Sequence, residues 1–383
     1  MDKKVFFYVQ HLLGIGHLKR ASILSNELQR NNFEVYLISG GMPVPNLILN
    51  NVKLIQLPSI KVINGDFNQI VDKNNILVDE KFFLKRSDAL SKLFIEINPD
   101  ILIIEMYPFG RKSIELELEN LLIQVKNINK NIFVLSSVRD ILIKKKKISR
   151  YKEMLTKFNK YFDYVLVHSD EKIISFDDTF PFTNKIQTQL FHTGYVVDNL
   201  KRSNFKKRKK EIIVSAGGGA VGKKILKTAI LSREKTIIKD YKWRILIGTN
   251  ESEETITELK DLVNKNQGNI IIEKAHPNLR DLLVRSELSI SQGGYNTMLD
   301  IVSSEIKAVV IPFNEKNDSD QSLRASLFKK YFNIEVLDEK NLNSDNLASI
   351  INISYLSKKK NKHHINLYGA KNTVSFINKL YDL

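Results

Sequence analysis

The chain contains no cysteine in 383 residues. Disulfides and thiolate metal sites are thereby excluded, a reducing compartment fits, and a cytoplasmic location is expected. No apolar stretch approaches the roughly 20 residues that a membrane span needs. Residues 3–16, KKVFFYVQHLLGIG, imitate a signal peptide by placing two lysines before an apolar run. Gln10 and His11 interrupt that run, no small-x-small cleavage site follows, and the helical-looking LKRASILSNELQR continues at once. The expected protein is soluble, or at most peripheral to the inner face of a membrane.

Further absences narrow the chemistry. No His, Asp and Glu cluster has tight ligand spacing, and the adjacent His363 and His364 would point apart on a helix, so neither metal nor cofactor is expected. A G-x-S-x-G nucleophile motif and a base-stacking aromatic array are both missing. Acidic residues are outnumbered, leaving a formal charge of +16, which invites a nucleic-acid or anionic-membrane reading. Yet lysine, asparagine and isoleucine are abundant throughout, and the basic runs Lys144 to Lys147, Lys206 to Lys210 and Lys358 to Lys360 fall in expected loops or helix ends. Compositional drift with solvation is the plainer account, and a basic face for acidic lipids or acceptors is the alternative. Nucleic acid is not an expected partner.

What is present is a globular composition, 43% hydrophobic, in a chain long enough for two domains with separate cores. KVFFYVQ (4–10), EVYLISG (34–40), ILIIEM (101–106), NIFVLSSV (131–138) and YVLVHS (164–169) read as strands. Helices are expected over 18–31, 82–97, from Arg111, and over 147–162, with a looser, proline-bearing region from 40 to about 80. Continuous apolar strands alternating with helices imply a parallel sheet covered on both faces. After the charged stretch 199–210, taken as a linker, EIIVSA (211–216), WRILIG (243–248), NIIIEK (269–274), LSIS (288–291) and KAVVIPF (307–313) start a second series. The expected fold is α/β, two doubly wound halves over 1–198 and 211–365, with a last helix within 366–383.

Three loops carry the chemistry. LSISQGGYNTMLD (288–300) reads as strand, tight turn and helix; Gly293 and Gly294 let backbone approach a ligand, the helix start offers N–H groups to a phosphate, and Asp300 can reach a ribose hydroxyl. SAGGGAVGKK (215–224) offers Gly217, Gly218 and Gly219 as a cradle for oxygens. It nearly matches a P-loop, but Lys224 stands where that motif needs a magnesium-binding hydroxyl, so a diphosphate loop without metal is expected. In HLLGIGH (11–17), Gly14 and Gly16 bring the loop close to a ligand, and a helix N-terminus keeps His17 neutral, as a general base must be.

With those residues in place, the chain resembles a GT-B glycosyltransferase of the MurG-like family 28 group, over nearly its whole length. GIGH (14–17), GGGAVG (217–222) and SQGGYNTMLD (291–300) resemble that group's N-terminal, diphosphate and donor loops. EMYPFGR (105–111), SSVRDIL (136–142) and HTGYV (192–196) look like an uncharacterised subgroup of predicted glycosyltransferases. The resemblance implies two Rossmann-like domains facing a central cleft, an N-terminal acceptor side on which helix 366–383 packs back, and a C-terminal nucleotide-sugar side. It implies transfer of a hexosyl or N-acetylhexosaminyl group from a UDP-sugar to an acceptor hydroxyl of a glycan, lipid-linked sugar or small molecule, with inversion. His17 and Glu105 are then base candidates. Asn296 and Thr297 belong to the donor signature, Asp300 holds the ribose where the group usually has Glu, backbone near His276 meets the uracil, and Asp320 and Gln321 meet the sugar. Arg324 and Ala325 depart from the pattern, standing where the group offers an asparagine. A UDP-sugar hydrolase like that of the pseudaminic acid pathway, whose GxGHxxR pattern Gly14, Gly16, His17 and Arg20 also meet, and a non-catalytic nucleotide-sugar binder are the alternatives.

Overall fold

The computed structural model describes residues 3–381 apart from 13, 46, 64–65, 129–130, 199–207, 217–221, 249–250, 267, 275–278, 314–319, 359–360 and 362. The chain divides into two compact units, Met1–Asp198 with Asn366–Leu383, and Asn199–Ile365.

The first unit runs β1 (Lys3–Val9), α1 (Gly16–Arg30), β2 (Phe33–Ser39), β3 (Lys53–Gln56), β4 (Ile60–Ile63), β5 (Asp66–Asp72), α2 (Glu80–Ile97), β6 (Ile101–Glu105), α3 (Glu115–Asn127), β7 (Phe133–Arg139), α4 (Ile148–Tyr161), β8 (Tyr164–His168) and β9 (Gln189–His192). Seven of these strands form a parallel sheet in the order β3-β2-β1-β6-β7-β8-β9. The reason the apolar runs are continuous is visible in β1. Phe6 and Tyr8 pack on one face with Phe94 of α2, Leu118 of α3 and Phe158 of α4. Val5, Phe7 and Val9 pack on the other face with Leu24 and Leu28 of α1.

Residues 40–80 correct the expectation of a loose region, because β3 extends the sheet and β4 with β5 forms an antiparallel hairpin. Their apolar residues come in runs of one or two broken by Lys, Gln, Asn and Asp, too short to read as buried strands.

The second unit runs β10 (Lys209–Ser215), α5 (Gly222–Ser232), β11 (Lys242–Ile247), α6 (Glu253–Asn266), β12 (Ile270–Lys274), α7 (Leu279–Val284), β13 (Ser286–Gln292), α8 (Tyr295–Ser303), β14 (Lys307–Ile311), α9 (Asp320–Tyr331), β15 (Ile334–Val336) and α10 (Ser344–Leu356). Its six strands are parallel in the order β12-β11-β10-β13-β14-β15. Ile212 and Val214 of β10 share a core with Ile225 of α5, Leu259 of α6 and Leu347 of α10. β10 starts at Lys209, inside the stretch read as linker, and Arg208 just before it donates to the carbonyls of Leu283, Ser286 and Ser304. With the Glu305 carbonyl it collects four, so this guanidinium is docked, not solvated. The last helix, α11 (Gly369–Lys379), packs in the first unit, with Val374 and Ile377 beside Leu24 and Leu28. Among the described residues no helix is long and apolar enough to cross a membrane.

Candidate active site

In each sheet the strand order reverses once, and the loops at the carboxyl ends of the two strands flanking that reversal open side by side. In the first unit those strands are β1 and β6, paired from Val5 with Ile101 to Tyr8 with Ile104. His17 follows β1 as the second residue of α1, and Glu105 is the last residue of β6. A Cβ added at Gly14 would meet nothing within 4 Å, so this part of the loop faces open space.

The two residues meet. His17 Nδ1 lies 3.0 Å from Glu105 Oε1, and the Arg20 guanidinium, one turn along α1, pairs with the same oxygen. Ser137 Oγ donates to Glu105 Oε2 at 2.6 Å. A carboxylate that accepts from all sides assigns the proton to His17 Nδ1, which leaves Nε2 as the basic nitrogen. Since Ser137 spends its proton on Glu105, His168 Nε2 donates to Ser137 at 2.9 Å, and His168 Nδ1 accepts from Thr193 at 2.8 Å. A polar chain thus runs across the carboxyl ends of β6, β7 and β8 to the residue after β9.

Burial pulls the His17 imidazole down to about 3; the Arg111 charge pulls further, Glu105 opposes both, and Arg20 adds a smaller lowering. Burial pushes the Glu105 carboxyl up, but Arg20, His17 and Ser137 outweigh it and hold the group well below the usual carboxylate range. His168 is likewise held to about 3, by burial first and then by Arg20. Of the two base candidates, only His17 is reachable, with 22% of its side chain exposed against none of Glu105. Glu105 is fully buried and held by His17, Arg20 and Ser137.

The second unit repeats the geometry with different residues. β10 and β13 are paired in register up to Ser215 with Ser291, whose hydroxyls are 3.0 Å apart, so Ala216 and Gly293 follow neighbouring strand ends. Gly217, Gly218, Gly219 and His276 lie outside the described residues. Gly222 opens α5, and a Cβ there would stand 2.4 Å from that of Ala216, which explains a glycine at this close approach. Lys223 and Lys224 do not serve this loop: Lys223 pairs with Glu258 at 2.7 Å, and Lys224 donates to the Glu339 carbonyl.

Gly294 caps α8 in an extended conformation, and no side chain caps that helix end. A Cβ at Gly294 would find only Thr297 Oγ1, at 3.9 Å, whereas one at Gly293 would touch Gln321 Cβ and Val310 Cγ1, both at 3.4 Å. Gly294 is the glycine with open space before it, and Gly293 packs against protein. Met298, Leu299, Ile301 and Val302 fill the core side of α8, leaving Asn296, Thr297 and Asp300 on its half-buried side. Gln321 Oε1 accepts from Phe313 N at 3.0 Å, which sets Gln321 beside this turn. Asp320 is less available than expected, since Arg324, fully buried, donates to it at 3.1 Å and lies over the Tyr295 ring at 5.5 Å. The guanidinium that departs from the expected asparagine is a brace between α9 and the start of α8. Among the described residues no group of three or more His, Asp and Glu could hold a metal ion.

Ser137, His168, Thr193 and Arg111 entered the reading of the sequence only inside strands and resemblance segments, with no role given to any of them. For Ser137 and His168 the signal was the polar residue near the end of an apolar strand, as in FVLSS and YVLVH. In a buried parallel strand such a residue sits at the ligand edge.

A family model described as the glycosyltransferase family 28 C-terminal domain matches residues 213–379. The Clostridium perfringens UDP-N-acetylglucosamine--N-acetylmuramyl-(pentapeptide) pyrophosphoryl-undecaprenol N-acetylglucosamine transferase is 29% identical over 184 residues, 48% of each chain. The chain thus spans about half the length of the curated relatives it matches. Acinetobacter baumannii MurG superposes over 99% of this chain and 100% of its own, with a TM-score of 0.62 at 13% identity. A UDP-glucosyltransferase from Polygonum tinctorium does so over 100% and 99%, with a TM-score of 0.65 at 11% identity. Residues 213–379 are thus similar to the C-terminal domain of glycosyltransferase family 28, and the chain as a whole shares the fold of MurG and of UDP-glycosyltransferases, two parallel Rossmann-like halves.

Proposed function

We propose that the protein moves a hexosyl or N-acetylhexosaminyl group from a UDP-sugar to an acceptor hydroxyl, with inversion and without a metal. The observation that carries this reading is the imidazole of His17, held by a buried carboxylate at the ligand edge of the first unit, with Nε2 left as the base. In this reading the acceptor O–H bond breaks toward His17 Nε2, the oxygen bonds to the anomeric carbon, and the anomeric carbon–phosphate oxygen bond breaks with its electron pair leaving on UDP. Glu105 steadies the imidazolium as it forms, as an orienting carboxylate does in a catalytic triad.

The donor falls to the second unit. The uncapped N–H groups of α8 suit a diphosphate gathering charge, and Asp300 suits ribose hydroxyls. The relatives' names support UDP-linked N-acetylglucosamine as the first donor to try. The acceptor is a glycan, a lipid-linked sugar or a small molecule, and a peripheral contact with an anionic membrane through the basic surface belongs to the same reading.

The test is release of UDP from a panel of UDP-sugars, with and without candidate acceptors. Release that rises with acceptor and yields a glycosylated product supports transfer. Full release without acceptor, giving free sugar, would make it a hydrolase, and UDP binding without turnover on any combination would make it a binder.

A further inference from the structure

Arg111 is the group that the proposed reaction leaves unused. It closes the turn Met106–Arg111 at the carboxyl end of β6, and both ends of that turn are in the left-handed region, Met106 at φ 68° and Arg111 at φ 65°. Neither residue is glycine, so the surroundings must hold the strain. They do so with aromatic anchors: Tyr107 and Phe109 are 1% exposed, and Phe109 packs edge-on against Phe176 and Phe180. These contacts clamp the turn that carries Arg111.

Its Nε and Nη2 are buried and have no hydrogen-bond partner. A buried guanidinium that lacks partners is costly, and native proteins keep one where something else supplies the acceptors. The neighbouring carboxylate does not, because Glu105 is bonded to Arg20, His17 and Ser137. The His17, Arg20, Glu105 and Arg111 cluster therefore holds two guanidinium charges against one carboxylate. The charge of Arg111 acts on both His11 and His17, which puts it at the first glycine loop, where the acceptor is read to bind.

Resting on that reading of the site, we propose that Arg111 seats an acid group of the acceptor, a phosphate or a carboxylate, beside the hydroxyl that His17 deprotonates. The fork of a guanidinium matches the two oxygens of either group. The arrangement also couples recognition to chemistry. With Arg111 bare, a proton arriving on His17 meets an uncompensated cation, which is one cause of the depressed basicity of that ring. An anion on Arg111 removes that opposition, so the base becomes competent when the acid-bearing acceptor is in place. A neutral sugar would leave His17 a weak base.

The experiment follows the His17 ring by NMR in the full chain, its signals identified by their loss in His17→Gln, with UDP present to occupy the donor loops. The probes are inorganic phosphate, acetate and phosphatidic acid vesicles, each against chloride at equal ionic strength. Phosphate or acetate should raise the His17 pKa in the wild type and not in Arg111→Met, and thermal melting should give Arg111→Met a midpoint no lower than wild type in chloride. Response to the soluble acids alone assigns a soluble acceptor, and response to vesicles alone a lipid-borne one. A His17 titration that no probe moves, or that moves equally in Arg111→Met, overturns the proposal, as does an Arg111→Met protein that melts lower while still responding. Arg111→Lys, which keeps the charge without the fork, should raise the KM of an acidic acceptor roughly 10- to 100-fold with little change in kcat. Because the ring titration needs no turnover, failure of the transferase reading and failure of this one are separable.

Discussion

His17 Nδ1 and Glu105 Oε1 are 3.0 Å apart although 88 residues separate them in the chain. The contact is made by topology, since α1 starts from β1 and Glu105 ends β6, the neighbour of β1 in the sheet. It predicts two different mutant phenotypes. His17→Ala removes the base and should cut turnover about 10²- to 10⁴-fold with UDP affinity intact. Glu105→Gln should also lower stability, by about 3–5 kcal/mol, because it removes one charge of a buried ion pair with Arg20. The double variant Arg20→Gln, Glu105→Gln should regain much of that stability without regaining turnover. Wild-type turnover in His17→Ala would send the base elsewhere.

The buried histidines give a pH signature. His168 is neutral in the folded state down to about 3, whereas an unfolded histidine takes up its proton near 6.5. Below about 6.5 the unfolded state therefore binds more protons, and stability falls with falling pH through the window from 6.5 to 3. The loss is about 1.4 kcal/mol per pH unit for one such group, or roughly 2 kcal/mol by pH 5. His168→Gln, which has no such proton to bind, should lose correspondingly less between pH 7 and pH 5 in urea denaturation. Parallel pH curves for the two proteins would show that His168 titrates as freely folded as unfolded.

On the donor side the two glycines should separate. Gly294→Val meets no protein atom closer than 3.9 Å at its Cβ, so it should fold normally and lose UDP binding by filling ligand space. Gly293→Val presses on Gln321 and Val310 and should melt at lower temperature. Asp300→Ala should weaken UDP by about 1–3 kcal/mol if it holds the ribose. Calorimetric titration of UDP into the three variants decides it, and undiminished affinity in Gly294→Val would remove this turn from the donor site.

The central strands were legible because burial on both faces forces unbroken apolar runs, as in VFFYV and ILIIE. β3, β9 and β15 were not, since strands of three or four residues, at or next to sheet edges, carry too few apolar residues to stand out. Likewise His17, Glu105 and the glycine turn before α8 could be named one by one, but not that Glu105 bonds His17 or that Gly293 faces Gln321. Those relations depend on sheet order and on the packing of distant segments. Fully buried Arg86 and Glu117, which pair at 2.8 Å, show the same limit, because in a sequence both read as helix surface.

The docking of α11 yields the last prediction. Gly369 lies so close to the chain after β9 that a Cβ would stand 2.4 Å from the Gly194 carbonyl oxygen and 2.7 Å from that of Tyr195. Around it Gly369 N donates to Tyr195 O at 3.0 Å, Tyr195 N to Asn366 O at 2.8 Å, and Asn372 to the Thr193 carbonyl at 2.7 Å. Thr193 is also the hydrogen-bond partner of His168, so the seat of α11 borders the polar chain that ends at Glu105. Gly369→Val must push backbone away from backbone and should cost at least about 1–3 kcal/mol. Exposed Lys371, two residues on, should tolerate Ala and serve as the control. Truncation after Ile365 should do more harm, baring the surfaces that Val374, Ile377 and Leu380 now cover. UDP binding should survive Gly369→Val while turnover falls, since Gly369 and Thr193 belong to the unit that holds His17. A Gly369→Val protein that melts with the wild type would refute the docking.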